Sequence, residues 1–300
     1  MSGPTLLQEW RIRGLRAVIR AVPRGRYSAM ARLAPSRGQL EAHLAPDAGG
    51  ARFHCDLADQ IQREVCFTGL YEPPVTRVFQ QQLSPGGIAV DVGANWGYFT
   101  LIAAPLVGSG GRVIALEPDP RQHQALLRNI ESNAFAHVTA HRAAASSATG
   151  RVSLAGYHDA ATNRGVSRIA IAKDDASAPR FEADATTIDE LTRDLPRVDV
   201  VKIDVEGAED LVLEGMRQGL AARRYRAVLL ELHPDALRAR GVPPERCLDA
   251  LADAGYRGAT IDGSAAAYRR ALDPATTAAS LLGPLDAWRG SIWPHLLWLC

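Results

Sequence analysis

From Val90 onward, short apolar runs alternate with longer stretches whose apolar residues recur at helical spacing. βαβ units with a mainly parallel sheet write this pattern into a chain. The runs predict seven strands: Ile88 to Val92, Arg112 to Glu117, Val138 to Ala143, Val198 to Asp204, Ala227 to Leu232, Tyr256 to Ile261 and His295 to Leu299. Between them the spacing predicts helices over Tyr98 to Val107, Pro120 to Asn133, Ala208 to Leu220 and Pro243 to Ala254. Arg151 to Tyr157 reads as an extra short strand or hairpin. The polar stretch Ala160 to Ala178 reads as a long loop of the kind that closes a site over such a sheet.

Ahead of this body, Leu7, Trp10, Ile12, Leu15, Val18 and Ile19 form an apolar stripe within Leu6 to Val22, beside an arginine face. The pattern predicts a peripheral cap helix, with a membrane-surface or partner-binding helix as the alternative. A Pro/Gly/Ala-rich passage then runs to Gly49-Gly50. The expected organisation is an N-terminal helical extension over residues 1–50 and an α/β domain over 51–300.

The 300 residues, 47% hydrophobic, leave room for a large core. With 34 basic against 33 acidic residues there is no global field to recruit a polyanion, so no nucleic-acid partner is expected. No apolar run approaches the roughly 18 residues of a membrane span, and Arg11, Arg13, Arg16 and Arg20 interrupt any secretory core. Cys55, Cys66, Cys247 and Cys300 lie far apart with no C-x-x-C pair, so neither a zinc knuckle nor a redox motif is written. A cytoplasmic, reducing location is the expectation. Lys173 and Lys202 are the only lysines, against 32 arginines, which directs attention to Lys202.

The strongest local signal is Gly87 to Thr100, an apolar strand running into a glycine-bearing turn and then a helix. Gly93 and Gly97 allow a sharp turn and close approach to a ligand, which favours a nucleoside-bearing cofactor. The spacing G-A-N-x-G misses G-x-G-x-x-G, and no G-K-S/T follows, so dinucleotide and P-loop readings both weaken. Asp91 at the strand end suits a sulfonium or ammonium better than a pyrophosphate, because Coulomb forces oppose the latter. Glu117 ends the next strand, where a carboxylate accepts the hydroxyls of a ribose.

These pieces, with Gly69 to Pro73, VDVGANWGYFT (Val90 to Thr100), RVIALEP (Arg112 to Pro118), LLRNIESN (Leu126 to Asn133), VVKIDVEGAE (Val200 to Glu209) and VLLELHP (Val228 to Pro234), resemble the FkbM-type S-adenosylmethionine-dependent methyltransferases. The resemblance covers roughly residues 52 to 262. It implies a class I methyltransferase (Rossmann-like) seven-stranded, mainly parallel sheet with helices on both faces and its last strand antiparallel. It also implies methyl transfer, usually to a hydroxyl oxygen, here of a small natural product or sugar-bearing metabolite. Residue by residue, it puts Asp91, Gly93, Ala94, Asn95 and Gly97 around the methionine part of the cofactor and Glu117 on its ribose. Ala143 and Ala144 fall near the adenine edge, Asp204 nearest the methyl, and Tyr71-Glu72 over the site from the N-terminal side. An N-methyltransferase of the same fold, a nicotinamide-linked oxidoreductase and a non-catalytic cofactor-binding module are the alternatives. The sequence leaves the oligomeric state open, a homodimer included.

Lys202, Asp204 and Glu206 alternate with apolar residues, so a strand sends all three to one side. One reading is an ion pair that only fixes the strand end. The other makes Asp204 or Glu206 the acceptor of the substrate proton, with Lys202 tuning its pKa. His233 is a second candidate base, or a turn residue before Pro234. Asp204, Glu206, Glu231 and His233 also suit Mg²⁺ or Mn²⁺, although no ligand pair of recognisable spacing supports a metal, and none is expected.

Overall fold

The computed structural model describes residues 6–21, 26–156, 168–169 and 180–300. The chain opens with helices α1 (Leu6–Ala21) and α2 (Arg26–Leu33), a hairpin of β1 (Gln39–His43) and β2 (Arg52–Asp56), and helices α3 (Gln60–Thr68) and α4 (Pro73–Gln80). The α/β body follows as β3 (Ile88–Val92), α5 (Tyr98–Val107), β4 (Arg112–Leu116), α6 (Pro120–Ser132) and β5 (Val138–His141). An excursion gives β6 (Ala143–Ala145), β7 (Gly150–Ala155), β8 (Arg168–Ile169), β9 (Arg180–Thr186) and α7 (Ile188–Leu191). The chain returns through β10 (Val200–Ile203), α8 (Glu209–Glu214), α9 (Arg217–Ala221), β11 (Ala227–Glu231), α10 (Pro234–Ala239) and α11 (Glu245–Asp253). It closes with β12 (Arg257–Ile261), α12 (Ala265–Ala271), β13 (Leu282–Gly283) and β14 (His295–Leu299).

The main sheet has the order β13-β12-β14-β11-β10-β3-β4-β5. Strands β5, β4, β3, β10 and β11 are parallel, and β14 runs antiparallel between β11 and β12. All seven predicted strands lie in this sheet, which is the α/β class I methyltransferase architecture. The strand count needs correction: β13 adds an eighth, antiparallel strand, and two residues are too few to leave an alternation in the sequence.

Burial follows the two-residue period. Along β10 and β11, Val200, Ala227 and Leu229 face one core while Val201, Val228 and Leu230 face the other. The first core is closed by α3, α4 and α5, and the second by α8 and α11. Both faces of the sheet are therefore covered.

Two further expectations are corrected. The third predicted strand stops at His141, and Ala143 and Ala144 belong to β6, in a separate sheet of order β6-β9-β7-β8. The predicted helix Ala208 to Leu220 is split into α8 and α9. A Cβ on Gly215 would run into the backbone carbonyl oxygen of Ser146, so only glycine lets the chain pass there. The helix then restarts because Asp189 accepts the backbone N–H groups of Gln218 and Gly219, both at 2.8 Å. The insertion Ala160 to Ala178 lies, Arg168–Ile169 apart, outside the described residues.

Helix α1 packs on α3. Ile19 is buried against it, whereas Val18, counted in the apolar stripe, is 57% exposed. Arg20 donates to the backbone oxygens of His43 and Phe67. The β1–β2 ladder joins residues on either side of Gly49-Gly50. Asn129 ties this hairpin to the glycine turn: fully buried on α6, it accepts the His54 N–H at 2.8 Å and donates to the Trp96 carbonyl at 2.8 Å. Among the described residues, no helix is long and apolar enough to cross a membrane.

Candidate active site

β3 and β10 are neighbours although the chain visits β4 and β5 between them. The connections leave these two strands in opposite directions, and such a switch point opens a crevice at the carboxyl ends. Gly93 follows β3 at φ +78°, and a Cβ there would collide with the Asp204 carbonyl oxygen beyond β10. Only glycine lets the two strand ends approach this closely.

The turn then passes through Asn95, itself at φ +53°, whose N–H donates to Glu117 Oε2 at 2.8 Å. The other Glu117 oxygen accepts the Asp119 N–H at 2.8 Å. Burial pushes the Glu117 carboxyl up to about 8. Glu117, Ala143, Ala144 and Leu154 border a groove that also reaches Gly93, Asn95, Asp204 and Glu206.

A second cavity adjoins the first. Its charged lining is Lys202, Asp204, Glu206, Glu231 and His233, and its apolar lining includes Tyr71, Trp96, Phe99 and Trp293. Gly93, Asn95, Asp204 and Glu206 border both spaces, so the two cavities meet at the switch point.

Lys202, on β10 and 2% exposed, lies over the Phe99 ring at 4.8 Å and places Nζ 2.9 Å from Asp204 Oδ2 and 3.7 Å from Glu231 Oε2. Burial alone would lower its pKa, but the Asp204 and Glu231 carboxylates outweigh it and hold the ammonium above its ordinary value. Burial likewise opposes ionisation of Asp204, yet Lys202 and then His233 draw its carboxyl down to about 2. Glu206, in a left-handed turn at φ +52°, is pushed up to about 7 by burial.

His233 is 4% exposed, and its ring does not cap α10. Nδ1 lies 2.8 Å from Glu209 Oε1, which assigns the proton to that nitrogen because a carboxylate only accepts. Nε2 then faces Glu206 at 3.5 Å, Glu231 at 3.7 Å and Asp204 at 4.0 Å. Burial works against the imidazolium, but the hydrogen bond to Glu209 and the charges of Asp204 and Glu206 raise His233 to about 9.

Three residues expected at the cofactor line neither cavity. Asp91, 2% exposed, accepts the Thr100 hydroxyl at 2.6 Å and faces α5. Gly97 caps α5 against Leu126. Glu72, at φ +42°, pairs with His295 Nε2 at 3.1 Å, and that nitrogen is also 3.1 Å from Glu231 Oε2. Burial would lower the His295 pKa, but Glu72 and Glu231 raise it well above the ordinary value. Ala94 borders the second cavity alone.

Glu209 and His295 were not singled out by sequence reasoning. Glu209 lies within the quoted VEGAE segment, but nothing in the spacing says that its carboxylate is fully buried beneath His233. Asp204, Glu206 and His233 can each present one ligand atom within 4.8 Å of the others, as can Glu72, Glu231 and His295. In the first group, the Lys202 ammonium already contacts Asp204.

A model described as the methyltransferase FkbM domain matches residues 91–257. The hexuronic acid methyltransferase AglP of Haloferax volcanii is 26% identical over 231 residues, covering 74% of this chain and 85% of the relative. The structure of an FkbM methyltransferase from Methylobacillus flagellatus aligns with TM-score 0.42 and 16% identity over 79% of this chain and 52% of the other, so the chain spans about half of that protein. An O-methyltransferase from Thermotoga maritima aligns with TM-score 0.41 and 12% identity, covering 89% and 94% of the two chains.

Proposed function

The chain belongs to the FkbM methyltransferase family, and on that premise we propose that it methylates a hydroxyl oxygen of a sugar-bearing acceptor. Membership makes it an S-adenosylmethionine-dependent methyltransferase, which displaces the nicotinamide alternative. The acceptor, the atom alkylated and the residue roles are the proposal. One relative acts, by its name, on a hexuronic acid, which supports a sugar for this chain too.

The residues fit the cofactor. Gly93 and Asn95 line the groove where the ends of β3 and β10 close together, and Glu117 presents a buried carboxylate into the same space. Glu117 would take the ribose hydroxyls, and Ala143, Ala144 and Leu154 would face the adenine. When bound, S-adenosylmethionine supplies an electrophilic methyl carbon on a sulfonium. Asp204 and Glu206, at the join of the two cavities, set negative charge where that cation belongs.

His233 Nε2 accepts the proton of the acceptor hydroxyl, while Glu209 holds Nδ1–H and with it the tautomer and ring direction. Asp204, held ionised by Lys202, is too weak a base for this step and instead stabilises the imidazolium that forms. A positioned base contributes about 10²- to 10⁴-fold. Orientation of the hydroxyl for in-line attack carries much of the remainder.

The observation that carries the reading is the meeting of a groove suited to a nucleoside with a second, charged and aromatic cavity at four shared residues. That second space also argues against a module that only holds the cofactor. The test is mass spectrometry of an acceptor panel of hexosides, uronides, aliphatic alcohols and amines with methyl-labelled cofactor. A labelled methyl on a hydroxyl oxygen is expected; label on amines alone would transfer the assignment to N-methylation.

A further inference from the structure

We infer that Trp293 forms the stacking wall of an acceptor subsite for a neutral pyranose ring, an inference that rests on the methyltransferase reading above. Trp96, Trp288 and Trp298 are 2%, 3% and 1% exposed, whereas Trp293 is 62% exposed and lines the second cavity. The segment is pinned there: the Pro294 carbonyl, next in the chain, accepts the Leu232 N–H at 3.0 Å, directly beside His233. An exposed indole held over a cavity offers a broad apolar face at small conformational cost.

The polar side of the cavity selects the partner. Lys202, Asp204, Glu206, Glu231 and His233 all line it, and a wholly apolar acceptor would desolvate them without replacing their hydrogen bonds. A ligand that satisfies both sides has one C–H face for the indole and several hydroxyls for the charged groups, which is the chemistry of a pyranose. Three carboxylates against two cations leave formal negative charge on that lining, so the ring edge that enters is neutral rather than a carboxylate.

The test is saturation-transfer NMR on the full chain loaded with S-adenosylhomocysteine, with methyl β-D-glucopyranoside, the matching glucuronide and cyclohexylmethanol as probes. Saturation of the glucoside ring protons is expected in the wild type. It should fall at least fivefold in Trp293→Ala and persist in Trp293→Phe, with homocysteine-analogue affinity unchanged within twofold in both. An undiminished signal in Trp293→Ala, or no glucoside signal in protein that binds the analogue, overturns the subsite but leaves the methyltransferase reading standing. Cyclohexylmethanol saturating as strongly as the glucoside overturns the sugar class, and tighter glucuronide binding overturns the neutral ring. Failure of the wild type to bind the analogue removes the underlying reading itself.

Discussion

Replacing Glu209 by Gln isolates what the buried carboxylate does for His233. The amide keeps the size of the side chain, and its oxygen can still accept both the His233 Nδ1–H and the Gly207 N–H, now at 2.8 and 2.9 Å. The NH₂ would take the place of Oε2, which is buried without a hydrogen-bond partner, so packing and fold should persist. What disappears is the charge. A hydrogen bond to a charged group contributes about 1.5–3 kcal/mol and a neutral one about 0.5–1.5, so the imidazolium loses roughly 1.4 kcal/mol, or about one pH unit. The free-enzyme profile of kcat/KM should rise tenfold per pH unit up to about 9, where His233 loses its proton, and then level. In Glu209→Gln the break should move about one unit toward acid, while His233→Asn should lose the break together with about 10²- to 10⁴-fold in kcat. An unmoved break in the first variant, or a surviving one in the second, would show that the dyad does not supply the base.

Glu117→Gln should weaken S-adenosylhomocysteine binding by at least about tenfold in calorimetry at pH 9, where the wild-type carboxylate is ionised, since charge-assisted bonds to the ribose become neutral ones. The folded-state pKa of Glu117 lies above its unfolded value, so its contribution to stability is present below pH 4.5 and is lost as pH rises through about 8. The melting temperature without ligand should therefore fall across that window by more in the wild type than in the variant, which has no carboxyl to titrate; an equal fall in the two would contradict this. Asn129→Ala strands the His54 N–H and the Trp96 carbonyl and should cost about 2–4 kcal/mol in urea unfolding, a loss under 0.5 kcal/mol being inconsistent with the structure. Turnover should survive EDTA, because Lys202 Nζ at 2.9 Å from Asp204 supplies the cation there; a loss restored by Mg²⁺ would make Asp204, Glu206 and His233 a metal site.

The sheet was legible because seven of its eight strands are written as short apolar runs at βα spacing, and the glycine turn because backbone geometry leaves few residues to choose from. Gly93 and Glu117 meet in one groove for that reason: both sit where a parallel strand ends. The break between α8 and α9 was hidden, since a lone glycine inside a helical pattern does not announce one, and the Ser146 backbone that demands Gly215 lies far away in the chain, just past β6. Asp91 shows the limit of position alone: its place near the strand end suggested a ligand, but the side chain turns inward to Thr100. The pairing of Glu72 with His295 joins the start of the fold to its last strand, and only the antiparallel insertion of β14 beside β11 brings them together. Glu209 was visible as a letter but not as a partner, because burial beneath His233 is a tertiary fact.

A crystal structure of the chain with S-adenosylhomocysteine tests the assignment most directly. The account predicts the ribose hydroxyls on Glu117, the adenine against Ala143 and Ala144, and the sulfur at the join between Gly93 and Asp204, open toward His233. A nucleoside bound away from Glu117, or a sulfur shielded from the cavity that contains His233, would contradict it.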